Sequence, residues 1–212
     1  MSSWTIVVAA GSGSRFGGSK QFADVNGHTV LAYSVAVARR SSDGVVLVVA
    51  DPTDPRIKGL GADIVVKGGA TRSESVRAGL AEVPSHADVI VVHDAARPLA
   101  TKDLFGRVIN SVRSGADAAI PGLPVVDTIK RVDSSGNVVV TVDRKDLVAV
   151  QTPQAFGARA IRSAHAESPE ASDDAAVIEQ AGGTVVIVPG EHNNIKITVP
   201  SDIDVVRLLA QA

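Results

Sequence analysis

The sequence contains no cysteine. That removes a disulfide framework, a thiolate zinc site and a cysteine nucleophile together, and it accords with a reducing compartment. A strong charge imbalance is absent too: 21 Lys and Arg stand against 23 Asp and Glu, a formal net charge of -2 over 212 residues. A general nucleic-acid binder is usually far more basic, so nucleic acid is not expected as a partner. Any anionic ligand has to be met by a local cluster of cations. Long hydrophobic runs are absent. The apolar stretch over residues 6–10 is too short to span a membrane and no basic segment precedes it, so no membrane or targeting element is read. A cytoplasmic location is the expectation. What remains is ordinary for a globular protein, with 45% apolar and 21% charged residues. The length suits one domain over 1–212, able to bury a sizeable core without staples.

The apolar segments alternate in kind. Residues 5–9, 45–50, 64–67, 89–93 and 116–120 are short, β-branched runs that suit strands buried on both faces of a parallel sheet. Residues 30–39, 73–82 and 102–113 have helical spacing, with Thr101 as an N-cap for the third. Strand, crossover and strand in alternation predicts an α/β fold, a mostly parallel sheet flanked by helices. The alternation breaks after Pro121. Residues 124–132 and 137–142 look extended, with a turn over 133–136 between them. This predicts a β-hairpin arm, delimited as 123–147, projecting from the sheet. An isolated hairpin is marginal in water, which points to a homodimer formed through the arm. Helices are then expected over 158–167, 173–182 and 201–209, the last N-capped by Ser201, with a strand over 184–188.

The most informative segment runs from Val7 to Gln21. A buried strand ends and a loop of small residues follows, with Ala9, Ala10, Gly11 and Gly13 leading to Arg15 and Lys20. Ligands of open α/β sheets bind beyond the carboxyl ends of strands, and glycines let backbone N–H groups approach phosphate oxygens. Neither of two better-known phosphate loops fits. Phe16 breaks the dinucleotide fingerprint, and Ser19 stands where a P-loop needs lysine. Alone, the segment could equally be a glycine-rich turn with two solvated cations.

Three further segments bear on that choice. Asp94, after His93 and before Ala95 and Arg97, ends a predicted buried strand. A carboxylate there can hold Mg²⁺ against phosphates, or can cap the next turn. Gly68 and Gly69 lead through Arg72 to Ser75, a turn running into a helix whose N-terminus suits an anion, or is a plain loop and cap. Lys196 and Thr198 are expected on one side of a short strand. His93 has no second histidine spaced to complete a metal site, which favours a structural role.

Taken in order, these segments join Asp127-Thr128-Ile-Lys130, Val142-Asp143-Arg144, Gln151-Thr152-Pro153-Gln154 and Asn194-Ile-Lys196-Ile-Thr198. The ordered set resembles the 2-C-methyl-D-erythritol 4-phosphate cytidylyltransferase family over nearly the whole chain. The resemblance implies a Rossmann-like domain, a dimerising β-arm, CTP as co-substrate and Mg²⁺ as cofactor. By motif position it implies that Arg15 and Lys20 stabilise the transition state and that Asp94 ligates the metal. Ala9, Ala10, Gly11, Gly13, Gly69, Ser75 and Ala95 correspond to nucleotide contacts. Arg144 and Lys196 correspond to groups that position the acceptor phosphate, joined by Arg97, Thr128, Thr152, Ser172 and Thr198 on the acceptor side. Thr128 and Arg144 would reach the partner subunit's site. The chain departs from the family pattern in a shorter loop before Lys20, which lacks a proline, and in Ser172-Asp173 where the family often has Thr-Asp. A ribitol 5-phosphate cytidylyltransferase is the nearest rival, and an NAD-dependent dehydrogenase a remote one.

Overall fold

The computed structural model describes residues 1–11, 13, 16–166, 171 and 173–211. Inside the sheet lies β1 (Ser3–Val8), whose Thr5, Ile6 and Val7 are fully buried on alternate faces, as in a strand covered on both sides. After it come two short paired strands, β2 (Asp24–Val25) and β3 (His28–Thr29), and helix α1 (Val30–Ser41), capped by the Thr29 side chain accepting from the Ala32 N–H. β4 (Gly44–Val49) and β5 (Ile64–Lys67) follow, then α2 (Arg72–Glu82), β6 (Val89–Asp94) and α3 (Lys102–Arg113). β1 pairs parallel with both β4 and β6, and β4 pairs parallel with β5. The expected α/β architecture is therefore present, and Thr101 caps α3 as read from the sequence.

The second half is more mixed. β7 (Ala118–Pro124) runs on past Pro121, where the sequence pattern breaks. Proline removes only a donor, and the Pro121 carbonyl still accepts from the Gln151 N–H at 2.8 Å. The arm follows as β8 (Ile129–Val132) and β9 (Val138–Val142), paired antiparallel with an irregularity between Arg131 and Val132. Its turn is built on Asp133, whose carboxylate accepts from the Ser135 and Asn137 N–H groups, and on Gly136 at φ +83°. That left-handed conformation is one glycine adopts without a Cβ penalty. Two strands go beyond the sequence reading, β10 (Val148–Val150) and β11 (Gln154–Gly157), because three or four residues are too few to show a period. Both pair antiparallel with β7, and β11 also joins β6.

The chain closes with α4 (Ala158–His165), α5 (Asp174–Gln180), β12 (Val185–Pro189) parallel to β7, and α6 (Ser201–Leu209). Ser201 is not the cap of α6. Pro200 precedes the helix, and the Asp202 carboxylate takes the Thr198 and Val199 N–H groups instead.

Two cores sandwich the sheet. One, with α1 and α3, includes Leu31, Leu47 and Phe105; the other, with α2, α4 and α5, includes Ile6, Ile90 and Phe156. Each such fully buried side chain contributes roughly 1.5–3 kcal/mol. A third, smaller cluster gathers Val25, Val30, Ile197, Ile203 and Val206. It anchors the segment that carries Lys196. No helix among the described residues is long and apolar enough to cross a membrane.

Candidate active site

The carboxyl ends of β1 and β6 and the turn after β5 open onto a cavity of about 210 Å³. Val8, Ala10 and Gly11 form its edge beneath the glycine loop, with Ala95 beyond the end of β6. Ala9 is excluded from this lining. It is buried in the core, and its N–H is bonded to the Val48 carbonyl at 2.8 Å. Gly13 serves the loop's turn: at φ +67°, a Cβ there would overlap the Gly18 carbonyl. Its own carbonyl accepts from the Phe16 and Gly17 N–H groups. The turn delivers Lys20 to the start of a short 3₁₀ helix (Lys20–Phe22), from which its Nζ reaches the Ile197 carbonyl at 2.7 Å while lining the cavity. Arg15 and Ser172, both expected at the site, lie outside the described residues.

Gly69 and Ser75 line the same cavity, and the N-terminus of α2 beside them carries its own cap. The Thr71 side chain accepts from the Glu74 N–H, and the Glu74 carboxylate takes the Ala70 and Thr71 N–H groups. Ser75 Oγ takes the Gly69 N–H at 3.2 Å and donates to the Thr71 carbonyl at 2.9 Å. Those donors are spent on a capping box that already supplies a negative charge. The cap expected as one alternative is present, and Gly69 and Ser75 still face the cavity beside it.

Asp94 ends β6 among cations. Lys196 Nζ donates to Oδ2 at 2.6 Å and Arg72 Nε to Oδ1 at 3.3 Å. Burial alone would raise this carboxyl, but Arg72 and Lys196 outweigh it and hold Asp94 well below the usual carboxylate range. Burial likewise works against the charge of Arg72, and is overcome by Asp174 and Asp94, so the guanidinium is held more firmly protonated than usual. Arg72 Nη1 donates to Asp174 Oδ2 at 2.8 Å. Behind it, His165 Nε2 lies 3.2 Å from Asp174 Oδ1 without hydrogen-bond alignment. In the sequence Arg72 stands out only as part of a motif, with no role of its own. The available signal is a carboxylate at a buried strand end, which must find a cation nearby.

The Lys196 segment is not the short strand expected. It is irregular, tied by the Ile197 N–H to the Ala96 carbonyl at 2.8 Å. Ile195 and Ile197 pack into the small third core, and Lys196 between them turns to Asp94. Thr198 does not line this cavity or the smaller one beside it; its hydroxyl donates to the Lys196 carbonyl.

That second cavity, of about 130 Å³, is lined by Asp94, Arg72 and Lys196 together with Arg97, Thr152 and Gln154. Thr152 joins a directed chain of hydrogen bonds. The Asp94 N–H donates to Thr152 Oγ1 at 3.0 Å, and Thr152 Oγ1 lies 3.2 Å from His93 Nδ1. His93 Nε2 lies 3.2 Å from the Arg97 carbonyl, which can only accept. His93 is thus the neutral tautomer protonated on Nε2, with Nδ1 taking the Thr152 hydroxyl proton. Burial pushes its pKa down to about 4. Both ring nitrogens are committed, which supports the structural role expected for His93. Among the described residues, no cluster of three His, Cys, Asp or Glu is placed to hold a metal. Arg97 is fixed by donating to the Asn194 and Val150 carbonyls at 2.7 and 3.3 Å. Thr128 and Arg144 are exposed on and beside the arm and line neither cavity of this chain.

Sequence comparison extends these observations. The family profile described as IspD, 2-C-methyl-D-erythritol 4-phosphate cytidylyltransferase, matches residues 4–211. A protein of that name from Rhodococcus jostii is 43% identical, covering 97% of this chain and 94% of its own length. A bifunctional enzyme IspD/IspF from Clavibacter michiganensis subsp. michiganensis is 44% identical over 93% of this chain, which spans 52% of that protein. The crystal structure of the 2-C-methyl-D-erythritol 4-phosphate cytidylyltransferase from Thermus thermophilus superposes with a TM-score of 0.84 at 34% identity, over 98% of each chain. The chain therefore belongs to the IspD family of 2-C-methyl-D-erythritol 4-phosphate cytidylyltransferases, and is an enzyme of the nucleotidyltransferase class.

Proposed function

We propose that the chain transfers CMP from CTP to 2-C-methyl-D-erythritol 4-phosphate, with the nucleotide in the larger cavity and the acceptor in the smaller. The observation that carries this reading is that the two cavities share Arg72, Asp94 and Lys196. An acceptor phosphate oxygen would attack the α-phosphorus at that junction, forming one P–O bond as the bond to pyrophosphate breaks. A phosphate is already an anion near neutral pH and needs no general base. The obstacle is repulsion between two anions, so catalysis rests on positioning and neutralisation.

Lys20 brings a flexible point charge to the triphosphate, and Arg15 supplies a fork of donors from the same loop. Lys196 and Arg97 hold the acceptor phosphate, and Thr152 keeps the Asp94 backbone in place. Asp94 fits Mg²⁺: each oxygen takes one donor and keeps lone pairs, and Mg²⁺ prefers one or two carboxylates with phosphate oxygens. Bound there, the ion supplies charge neutralisation to the phosphates. The arm brings Thr128 and Arg144 to a second copy's acceptor cavity in a homodimer. The cysteine-free composition fits work in the cytoplasm.

Phosphorus NMR of CTP, Mg²⁺ and either methylerythritol phosphate or ribitol 5-phosphate tests the reading. Pyrophosphate and a CDP-polyol should form with the first acceptor. Preference for ribitol 5-phosphate would reassign the substrate, and no product with either would reject the reading.

A further inference from the structure

One buried polar atom beside the smaller cavity has no part in the transfer chemistry of the cations and Asp94. Gln154 opens β11 with 1% of its surface exposed. Its Nε2 donates to Asp173 Oδ2 at 3.0 Å and to the Gln151 carbonyl at 3.4 Å. Both partners can only accept, which settles the amide orientation: nitrogen faces them and Oε1 faces away. Oε1 is buried and meets no donor among the described residues. An unpaired buried acceptor costs about 1–3 kcal/mol, a strong reason for it to meet a donor in the working enzyme. Gln154 and Asp173 line the cavity that also holds Arg97 and Lys196.

The chemistry of this lining divides the acceptor. A phosphate dianion offers no proton to Oε1 and is repelled by the Asp173 carboxylate. It is drawn to Arg97 and Lys196. A hydroxyl has the proton that Oε1 needs. Asp173 is itself held: its Oδ1 accepts from the Ala176 N–H at 3.0 Å at the start of α5, so the amide it fixes cannot swing. We infer that Gln154 is a specificity-determining residue for the acceptor, its Oε1 accepting a hydrogen bond from one hydroxyl of the polyol, with Asp173 as the positioning residue that orients the amide. This rests on the transferase reading and deepens it. The site selects a hydroxylated chain at a set distance from a phosphate, and phosphates without that hydroxyl are poor acceptors.

The test measures KM and kcat for methylerythritol phosphate and its single-deoxy analogues at saturating CTP, with wild-type enzyme and Gln154→Met. In the wild type, one deoxy analogue should show a KM about ten- to a hundredfold higher. Gln154→Met should raise the KM of the parent acceptor by a similar factor, lose discrimination against that same analogue, and leave the KM for CTP unchanged. Equal KM values for all analogues in the wild type would mean that water alone satisfies Oε1, and would overturn the inference without any variant. A variant that discriminates as the wild type does, or that loses CTP affinity in parallel, would also overturn it. All three of those results leave the transferase reading intact, because wild-type turnover is still seen. No turnover with any polyol phosphate would reject the transferase reading and this inference together.

Discussion

Asp94 and Arg144 are both charged residues at strand ends, yet the chain treats them in opposite ways. Asp94 sits at the end of β6 with its carboxylate clasped by Arg72 and Lys196, and a further shell of Asp174 and His165 lies behind Arg72. Arg144 follows β9 on the arm, exposed to solvent. Its neighbours on the arm are aliphatic yet exposed: Val138 is 60% and Val139 56% accessible. The sheet end is a finished electrostatic device within one chain. The arm is an unfinished surface whose apolar side chains gain nothing until something covers them. Under the proposed function, the reaction centre would rest on local preorganisation and the acceptor site on assembly through the arm.

The comparison predicts a ranking of effects. The largest falls on the buried shell. Asp174→Ala leaves Arg72 without one of its two carboxylates, and breaking a buried pair costs about 3–5 kcal/mol. Thermal or denaturant unfolding should show that loss, while a stability within about 0.5 kcal/mol of wild type would mean that the shell is decorative. Next comes Lys20→Ala, expected to lower kcat by about 10²–10³ with the fold retained. A rate close to wild type would remove Lys20 from the transition state.

The third effect is acid sensitivity. His93 is depressed to about 4 by burial, against an ordinary value near 6.5. The unfolded chain therefore takes up the proton first. Stability is fully present above about pH 6.5 and is lost as pH falls toward 4, by roughly 3 kcal/mol at most. Denaturant titrations of wild type and His93→Asn at pH 7 and pH 4.5 should show a shallower acid loss in the variant. Parallel losses would indicate that other groups carry the effect.

The smallest effect belongs to the arm. Arg144→Ala should raise the acceptor KM by about tenfold, with stability unchanged within about 0.5 kcal/mol. An unchanged acceptor KM would separate the arm from the acceptor site. Val138→Asp sharpens the same point, because a charge on the exposed face should shift sedimentation toward the monomer if the arm makes the dimer.

The same contrast explains what the sequence disclosed. Helices with a clear apolar periodicity were legible end to end, as with α3 after its Thr101 cap and α6 over Ser201–Leu209, although α6 starts without the Ser201 cap. β11 was hidden, because Gln154–Gly157 carries no alternation and owes its place to β6 and β7 on either side. Asp94 and Lys20 stood out because charge beyond a buried strand invites a ligand. Arg72, Asp174 and Gln154 did not, since their meaning arises only from partners 22, 102 and 19 positions away. The short-strand expectation for Lys196 failed for a related reason: Ile195 and Ile197 alternate as in a strand, but they pack into the small third core with α6, and among the described residues no strand pairs with them.

The central claim is that Asp94 stands where the nucleotide and acceptor meet. Pyrophosphate release from CTP, with and without methylerythritol phosphate, measured side by side for wild type and Asp94→Asn, tests it most directly. The account predicts acceptor-dependent release by the wild type and a loss of about 10²–10³ in the variant. Release that ignores the acceptor, or that survives the substitution at the wild-type rate, would contradict it.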